Sequence, residues 1–289
     1  MSDIEFPNIH PTAADLEPIY ERLKSTLTAL KAHPLRAEYV TTLLIPTFGP
    51  LGSHISQTET IHALIDLVKP HLTTLAITTE EVGRQIFPSP ELEHLFLTYD
   101  SWPKLRSFRV STGNAKDLLS IACFLGKCPR ITNFELNWTR SLGDPPLETR
   151  TGVLKSNEIP ALPTLTHFAT TNFTDRYILP RMFMKMPNLT DLTLHGIFED
   201  NEYDLDVGID RFFDALKGLK KLETIHWLTM DMTFEFPTRI TGMQSLRAYS
   251  EVMEEYDAET DELELIVSGQ YIVVRPAEIL MCRERKTWS

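Results

Sequence analysis

Pro187-Asn-Leu-Thr-Asp-Leu-Thr-Leu194 is the stretch that decides how this chain folds. Its apolar residues are spaced as one, two variable, one, one variable, one. The closing alternation puts Leu192 and Leu194 on one face of a strand and Asp191 and Thr193 on the other. The pattern returns as PHLTTLAI at Pro70–Ile77, PKLRSFRV at Pro103–Val110, PRITNFEL at Pro129–Leu136 and PTLTHFAT at Pro163–Thr170. KKLETIHW at Lys220–Trp227 and QSLRAYSE at Gln244–Glu251 keep most of it without the proline, and EYVTTLLI at Glu38–Ile45 serves as a first copy.

The first apolar residue of each copy falls at Val40, Leu72, Leu105, Ile131, Leu165, Leu189, Leu222 and Leu246, at intervals of 32, 33, 26, 34, 24, 33 and 24 residues. A strand takes about six of these, which leaves room for a turn, a helix and a return loop, so the strands are expected to be parallel. The intervening segments have the helical period. Thr60–Lys69 lines up Ile61, Leu64, Ile65 and Val68; Asn114–Lys127 lines up Leu118, Ile121, Ala122 and Leu125; Asp206–Leu219 lines up Ile209, Phe212, Phe213 and Leu216. Arg181–Met186 predicts a shorter helix with Pro180 in its first turn. PELEHLFL at Pro90–Leu97 also matches the strand pattern but begins 13 residues before the next copy, too close for a full repeat, so Glu91–Tyr99 is read as helix.

Strands and helices alternating around Leu-x-x-Leu-x-Leu resemble the leucine-rich repeat over about Glu38–Val252. The expected fold class is an α/β irregular leucine-rich-repeat solenoid of seven or eight repeats, with a curved parallel sheet inside and helices outside. The usual Asn or Cys after the third apolar position is missing. The third residue beyond it is Glu80, Gly113 or Ile197, so an asparagine ladder is not expected. Long, uneven repeats of this kind resemble the substrate-binding part of fungal F-box proteins. Leu27–Ile45, with its His33-Pro34 and Tyr39-Val40, is similar to the stretch that follows the F-box there. The F-box motif itself has no counterpart before Glu38. The resemblance implies substrate selection for a cullin-type ubiquitin ligase, with the F-box adaptor and cullin as possible partners.

Residues 1–37 are expected to form an N-terminal helical cap, 38–252 the repeat arc, and 253–289 an acidic loop, a closing β-hairpin and a tail. In the cap, Ala14–Lys31 reads as one amphipathic helix, with partner docking as its other possible use. In the hairpin, Leu263–Val267 and Tyr271–Arg275 flank Ser268-Gly269-Gln270, which reads as the turn. The acidic run Glu251, Glu254, Glu255, Asp257, Glu259, Asp261, Glu262 and Glu264 reads as a solvated loop, or else a docking site for a basic partner. A second run, Glu199–Asp210, precedes a helix, where carboxylates favour the macrodipole; it fails as a calcium loop. Gly49–Ser53 reads as a native turn.

Counted from the first apolar residue, the third, fifth and seventh positions face away from the core. They give a polar concave face with Thr74, Ala76, Thr78, Ser107, Arg109 and Ser111 on two strands. Asn133, Glu135, Asn137, His167, Ala169 and Thr171 follow, then Asp191, Thr193, His195, Thr224, His226 and Leu228. The candidate partner-binding residues are Arg109, Asn133, Glu135, Asn137, His167, Asp191, His195 and His226. Parallel strands lie about 4.8 Å apart, so Arg109 is expected to pair with Glu135 and His167 with Asp191, while His195 and His226 are diagonal neighbours. The histidines and Asp191 suggest zinc, but they spread over about 10 Å along the strands, too far for one tetrahedral site. The expectation is a hydrogen-bonding surface on which Asp191 orients His167.

Lys and Arg number 28 against 40 Asp and Glu, a net charge of −12, which argues against nucleic-acid or anionic-membrane partners. No apolar run reaches membrane-spanning length, and the first residues carry no secretory pattern. Cys123, Cys128 and Cys282 match no metal or redox spacing, so a reducing cytoplasmic or nuclear compartment fits. There is no Gly-x-Ser-x-Gly elbow, phosphate loop or His-Glu-x-x-His. The expectation is a non-catalytic monomer without metal or cofactor that binds a protein on its concave face.

Overall fold

Each repeat opens with a tight turn. The backbone N–H of Leu105 bonds Trp102 O at 3.4 Å, Ile131 bonds Cys128 at 3.1 Å, Leu165 bonds Leu162 at 3.2 Å and Leu189 bonds Met186 at 3.1 Å. The second residue of each turn is Pro103, Pro129, Pro163 or Pro187, where a fixed φ near −65° suits a β-turn and no N–H is needed. Leu219–Leu222 and Met243–Leu246 close the same way without proline. In these four proline turns the first residue is itself core, Trp102, Cys128, Leu162 and Met186 all being buried, whereas the turn around Pro70 starts from half-buried Lys69.

The computed structural model describes residues 13–48, 55–80, 98–112, 115–138, 158–171, 178–195, 205–229, 240, 243, 245–257, 262–275 and 278–282. The strands are β1 Thr42–Phe48, β2 Thr74–Glu80, β3 Ser107–Thr112, β4 Asn133–Trp138, β5 His167–Thr171, β6 Asp191–His195, β7 Thr224–Thr229, β8 Ala248–Asp257, β9 Glu262–Arg275 and β10 Glu278–Cys282. They form one sheet in chain order. Strands β1 to β8 pair in parallel, each with the next, and β9 and β10 add antiparallel. The helices are α1 Ala13–Ala32, α2 Ile55–Val68, α3 Ala115–Gly126, α4 Ile178–Phe183 and α5 Leu205–Gly218, with a 3-10 turn at Pro34–Tyr39. One parallel strand per repeat, helices in the crossovers and an open sheet make this an α/β leucine-rich-repeat solenoid.

Alternation sets the core. Along β4 the pattern is exposed Asn133, buried Phe134, half-buried Glu135, buried Leu136, half-buried Asn137, buried Trp138. The helical stripes meet the buried face: Ile61, Leu64, Ile65 and Val68 of α2, Leu118, Ile121, Ala122 and Leu125 of α3, and Phe212, Phe213 and Leu216 of α5 join one continuous core. Within it, Phe108, Phe134 and Phe168 share one register position on three strands. Their rings stack at 5.9 and 5.6 Å, and Phe124, Phe183 and Phe212 extend the aromatic path into the helices.

A ladder of hydrogen bonds ties the turns together. The backbone carbonyls of Thr41, Thr73, Arg106, Thr132, Thr166, Thr190 and Glu223 each accept two backbone N–H groups from the next repeat. Where the next repeat places threonine there, its hydroxyl adds a third bond. Thr73 Oγ1 donates to Thr41 O at 3.1 Å, Thr132 to Arg106 at 3.1 Å, Thr166 to Thr132 at 3.2 Å and Thr190 to Thr166 at 3.0 Å. These hydroxyls fill the role that asparagine plays in regular repeats. At the last step a salt bridge, Arg247 to Glu223 at 3.5 Å, stands in for the hydroxyl.

The predicted helices occur, with α2 starting five residues earlier than the stripe indicates and α4 beginning before Pro180. Helix α1 packs on α2 through a face that buries Leu27 and Leu30. The C-terminal reading needs two corrections. Leu263–Val267 and Tyr271–Arg275 are not two arms around a Ser-Gly-Gln turn; they are one 14-residue strand, β9, paired with β8 on one side and β10 on the other. The register jumps from Glu251 opposite Gly269 to Met253 opposite Ile266. Two residues of β9 therefore oppose Val252, a β-bulge, and a glycine beside a bulge marks an irregular strand as readily as a turn. Of the acidic run, Glu251–Asp257 lie in β8 and Glu262 and Glu264 in β9 rather than in a loop, so the arc's last strand runs past residue 252, while Glu259 and Asp261 lie outside the described residues. Of the helix expected at Glu91–Tyr99, residues 91–97 lie outside the described residues, as do Gly49–Ser53, the acidic run at 199–204 and the tail 283–289.

Candidate functional site

All eight candidate residues stand on the sheet face turned away from the helices. Arg109, Asn133, His167 and His226 are exposed, and Glu135, Asn137, Asp191 and His195 are half-buried. Strand register brings them together in rows. The third row runs Ser107, Asn133, His167, Asp191, Thr224, and the fifth runs Arg109, Glu135, Ala169, Thr193, His226. Asn137, Thr171 and His195 form the seventh row.

Both expected pairs form. Arg109 Nε lies 2.6 Å from Glu135 Oε2, and His167 Nε2 lies 3.2 Å from Asp191 Oδ2. Both pairs are solvated, so each contributes about 0–1 kcal/mol to stability; their effect is to fix side-chain positions. The threonine ladder supports the second pair from beneath. Thr190 Oγ1, whose single proton is shared between Thr166 O and this carboxylate, lies 2.6 Å from Asp191 Oδ2, and Thr166 Oγ1 lies 2.8 Å from His167 Nδ1. With Asp191 an acceptor, Nε2 is the nitrogen that donates to it, which leaves Nδ1 facing a hydroxyl able to give or take a proton. His195 is opposite Leu228 and His226 opposite Thr193, so the two histidines are diagonal neighbours. Among the described residues, no three of His, Cys, Asp and Glu converge as a metal site.

The open face is narrower than alternation predicts. Ala76 and Ser111 are each 4% exposed. Ala76 lies in its row between Leu44 and Arg109, whose longer side chains overtop a methyl group. Ser111 is followed by buried Thr112 at the end of β3, where the alternation ends.

Two features escaped the sequence reading. One is the set of threonines beneath the site; its signal was present as the recurring pairs Leu72-Thr73, Ile131-Thr132, Leu165-Thr166 and Leu189-Thr190. The other is a polar knot on the helix side. Tyr99 Oη donates to Asp66 Oδ1 at 2.6 Å, and Lys69 Nζ lies 4.4 Å from the Tyr99 ring centre and 5.7 Å from that of Trp102. Burial, then the bond to Asp66, raises the Tyr99 phenol above its ordinary range, and burial lowers the Lys69 ammonium. This knot pins the β2–β3 crossover; sequence spacing could not bring a helix residue to a tyrosine 33 positions away.

No family model matches the sequence, and no curated protein matches it. Among solved structures the chain is similar to the leucine-rich repeat-containing protein LegL7 from Legionella pneumophila. The two share 13% identity over 78% of this chain and 85% of that one, with a TM-score of 0.33. The site therefore rests on this chain's own geometry. No helix among the described residues is long and apolar enough to cross a membrane.

Proposed function

We propose that this chain is a non-catalytic protein-recognition module that binds its partner on the open sheet face. Arg109, Asn133, Glu135, Asn137, His167, Asp191, His195 and His226 are the contacts. The observation that supports this is the ordered grid of polar side chains on β3 to β7, in which Arg109–Glu135 and His167–Asp191 are already paired. Side chains held by neighbours lose less rotamer freedom on binding, so more of each contact's energy reaches the affinity. Arginine is a common anchor in such interfaces. The finer reading is selection of substrates for a cullin-type ubiquitin ligase. It is supported only by the resemblance of Leu27–Ile45 and of the uneven repeats to fungal F-box proteins. A free-standing scaffold is the second reading.

The test is a pull-down of tagged full-length chain from its native cell extract, with Arg109→Glu and His167→Ala variants in parallel. Both substitutions fall on solvated side chains, so melting curves should match the wild type while the captured partner is lost. A partner retained by both variants would remove the open face from consideration. Adaptor and cullin in the captured set would support the ligase reading; an Arg109-dependent partner without them would support the scaffold.

A further inference from the structure

Both ring nitrogens of His167 face oxygens. Nε2 lies 3.2 Å from Asp191 Oδ2, and Nδ1 lies 2.8 Å from Thr166 Oγ1. An ionised carboxylate only accepts, so Nε2 carries a proton toward Asp191. In the neutral ring Nδ1 is then a lone pair that needs a donor. The Thr166 hydroxyl has a single proton, and Thr132 O, 3.2 Å away, accepts it as well. One of these two acceptors goes without. In the charged ring Nδ1 becomes a donor. It gives to Thr166 Oγ1, the threonine proton passes to Thr132 O, and Asp191 keeps its bond from Nε2. Protonation of His167 therefore lets the imidazole, the hydroxyl and the ladder carbonyl each find a partner at once.

Histidine is the side chain whose charge ordinarily changes between about pH 5 and 8. Among the described residues, the charged groups that face His167 are Asp191, beside it on β6, and Glu135, diagonal to it on β4 and offset by Arg109. Asn133 on β4 and Thr193 on β6 are its neutral neighbours. His195 on β6 and His226 on β7 carry the titratable groups onward. Strands β5 to β7 span about 10 Å, close to the screening length at physiological salt, so these charges act together on one ligand. With neutral histidines the open-face candidates hold one cation, Arg109, against two carboxylates, Glu135 and Asp191. With the three histidines charged, cations outnumber carboxylates and the face changes sign. We propose that the open face is proton-gated, with His167 as its gate: it captures a carboxylate-bearing segment of a partner protein when the histidines are charged and releases it when they are neutral. The segment's own Asp and Glu stay ionised throughout, since their pKa values lie near 4. This rests on the open face being the binding surface, and adds its regulation and the chemistry of its partner.

The test is selection of a random dodecapeptide phage library on the full-length chain at pH 5.5, with elution at pH 7.5. Binding of the selected peptides is then read by fluorescence anisotropy at both pH values. The expected winners carry Asp or Glu and lose affinity by about tenfold or more on going to pH 7.5. His167→Gln keeps a polar side chain that cannot take the proton, so it should remove most of that ratio. His33→Gln, exposed at the start of the 3-10 turn and off the open face, should leave the ratio unchanged, which separates the gate from the general titration of the chain. Both variants alter solvated side chains, and matching melting curves confirm that they fold. Basic winners, or a pH ratio that survives His167→Gln, would overturn the proposal. Peptides lost with Arg109→Glu but bound equally at both pH values would overturn the gate and leave the open face as the binding surface. Peptides indifferent to Arg109→Glu and to His167→Gln alike would count against the open face itself. Selection of no peptide would also overturn the gate, while the pull-down would still judge the face.

Discussion

Cys128 shows how much chemistry a single repeat position dictates. It occupies the first place of its turn, just before Pro129, where Trp102, Leu162 and Met186 stand in other repeats. In these repeats the position is buried and holds apolar bulk, and a thiol serves as a small hydrophobe there. Its Sγ lies 3.3 Å from Phe124 O, and burial pushes its pKa up to about 12 from an ordinary 9.0, with nearby Lys127 pulling the other way to a lesser degree. The thiolate is the reactive form, so Cys128 should resist alkylation at pH 8 in the folded chain while exposed Cys123 labels quickly. Peptide-resolved mass spectrometry after an iodoacetamide pulse reads both; equal labelling would mean that the turn opens in the native state. The same shift links to stability. An unfolded thiol loses its proton near 9.0 and the folded one keeps it to about 12, so the unfolded state binds fewer protons in that window and stability falls as pH rises through it. Cys128→Ala should flatten that part of the stability–pH curve measured by urea titration.

At the scale of the element, the repeat is a turn, a ladder residue and a short strand, and each part has its own determinant. Proline sets the turn, threonine sets the ladder, and the phenylalanines of β3, β4 and β5 stack beneath strands whose spacing the backbone hydrogen bonds fix. The ladder is the part most open to measurement. Thr132, Thr166 and Thr190 each give one hydroxyl bond to the carbonyl of the preceding repeat. Threonine to valine keeps shape and β-branching and deletes the hydroxyl with its bonds. Each change should cost about 0.5–1.5 kcal/mol in chemical denaturation. Thr166→Val and Thr190→Val should also weaken partner capture, because their hydroxyls touch His167 and Asp191, whereas Thr132→Val should not. Equal effects of all three on binding would detach the ladder from the site. The strands β1 to β7, helices α2, α3 and α5 and both side-chain pairs were legible in the sequence because Leu-x-x-Leu-x-Leu counts strand positions directly, and in-register parallel strands carry the count from one repeat to the next. What the count could not supply was anything depending on a break in it. The bulge opposite Val252 fused two expected arms into β9, and the shielding of Ala76 depends on the size of its neighbours rather than on its own position.

For the whole molecule the governing fact is that each strand among the described residues pairs only with its neighbours in sequence, so stability is a chain of nearest-neighbour terms and the two ends are the exposed points. The C-terminal end passes from parallel to antiparallel pairing through β9 and β10. At the N-terminal end β1 has a free edge among the described residues, with exposed Leu35, Tyr39 and Leu44 close to it in sequence. Thr41 O is turned toward β2, where it accepts from Thr73 and Thr74. Backbone direction alternates along a strand, so the backbone groups of Leu43, Ile45 and Thr47 also face β2, while those of Thr42, Leu44, Pro46 and Phe48 face the free edge. Pro46 therefore removes a donor from the one side of β1 on which an incoming strand would pair, a common protection of sheet edges. Pro46→Thr restores that donor in a strand-favouring residue without touching the β1–β2 ladder. The variant should keep the wild-type far-ultraviolet spectrum and acquire a concentration-dependent dimer in sedimentation velocity, while the parent chain stays monomeric at the same concentration. A monomeric variant would mean that something other than proline guards this edge.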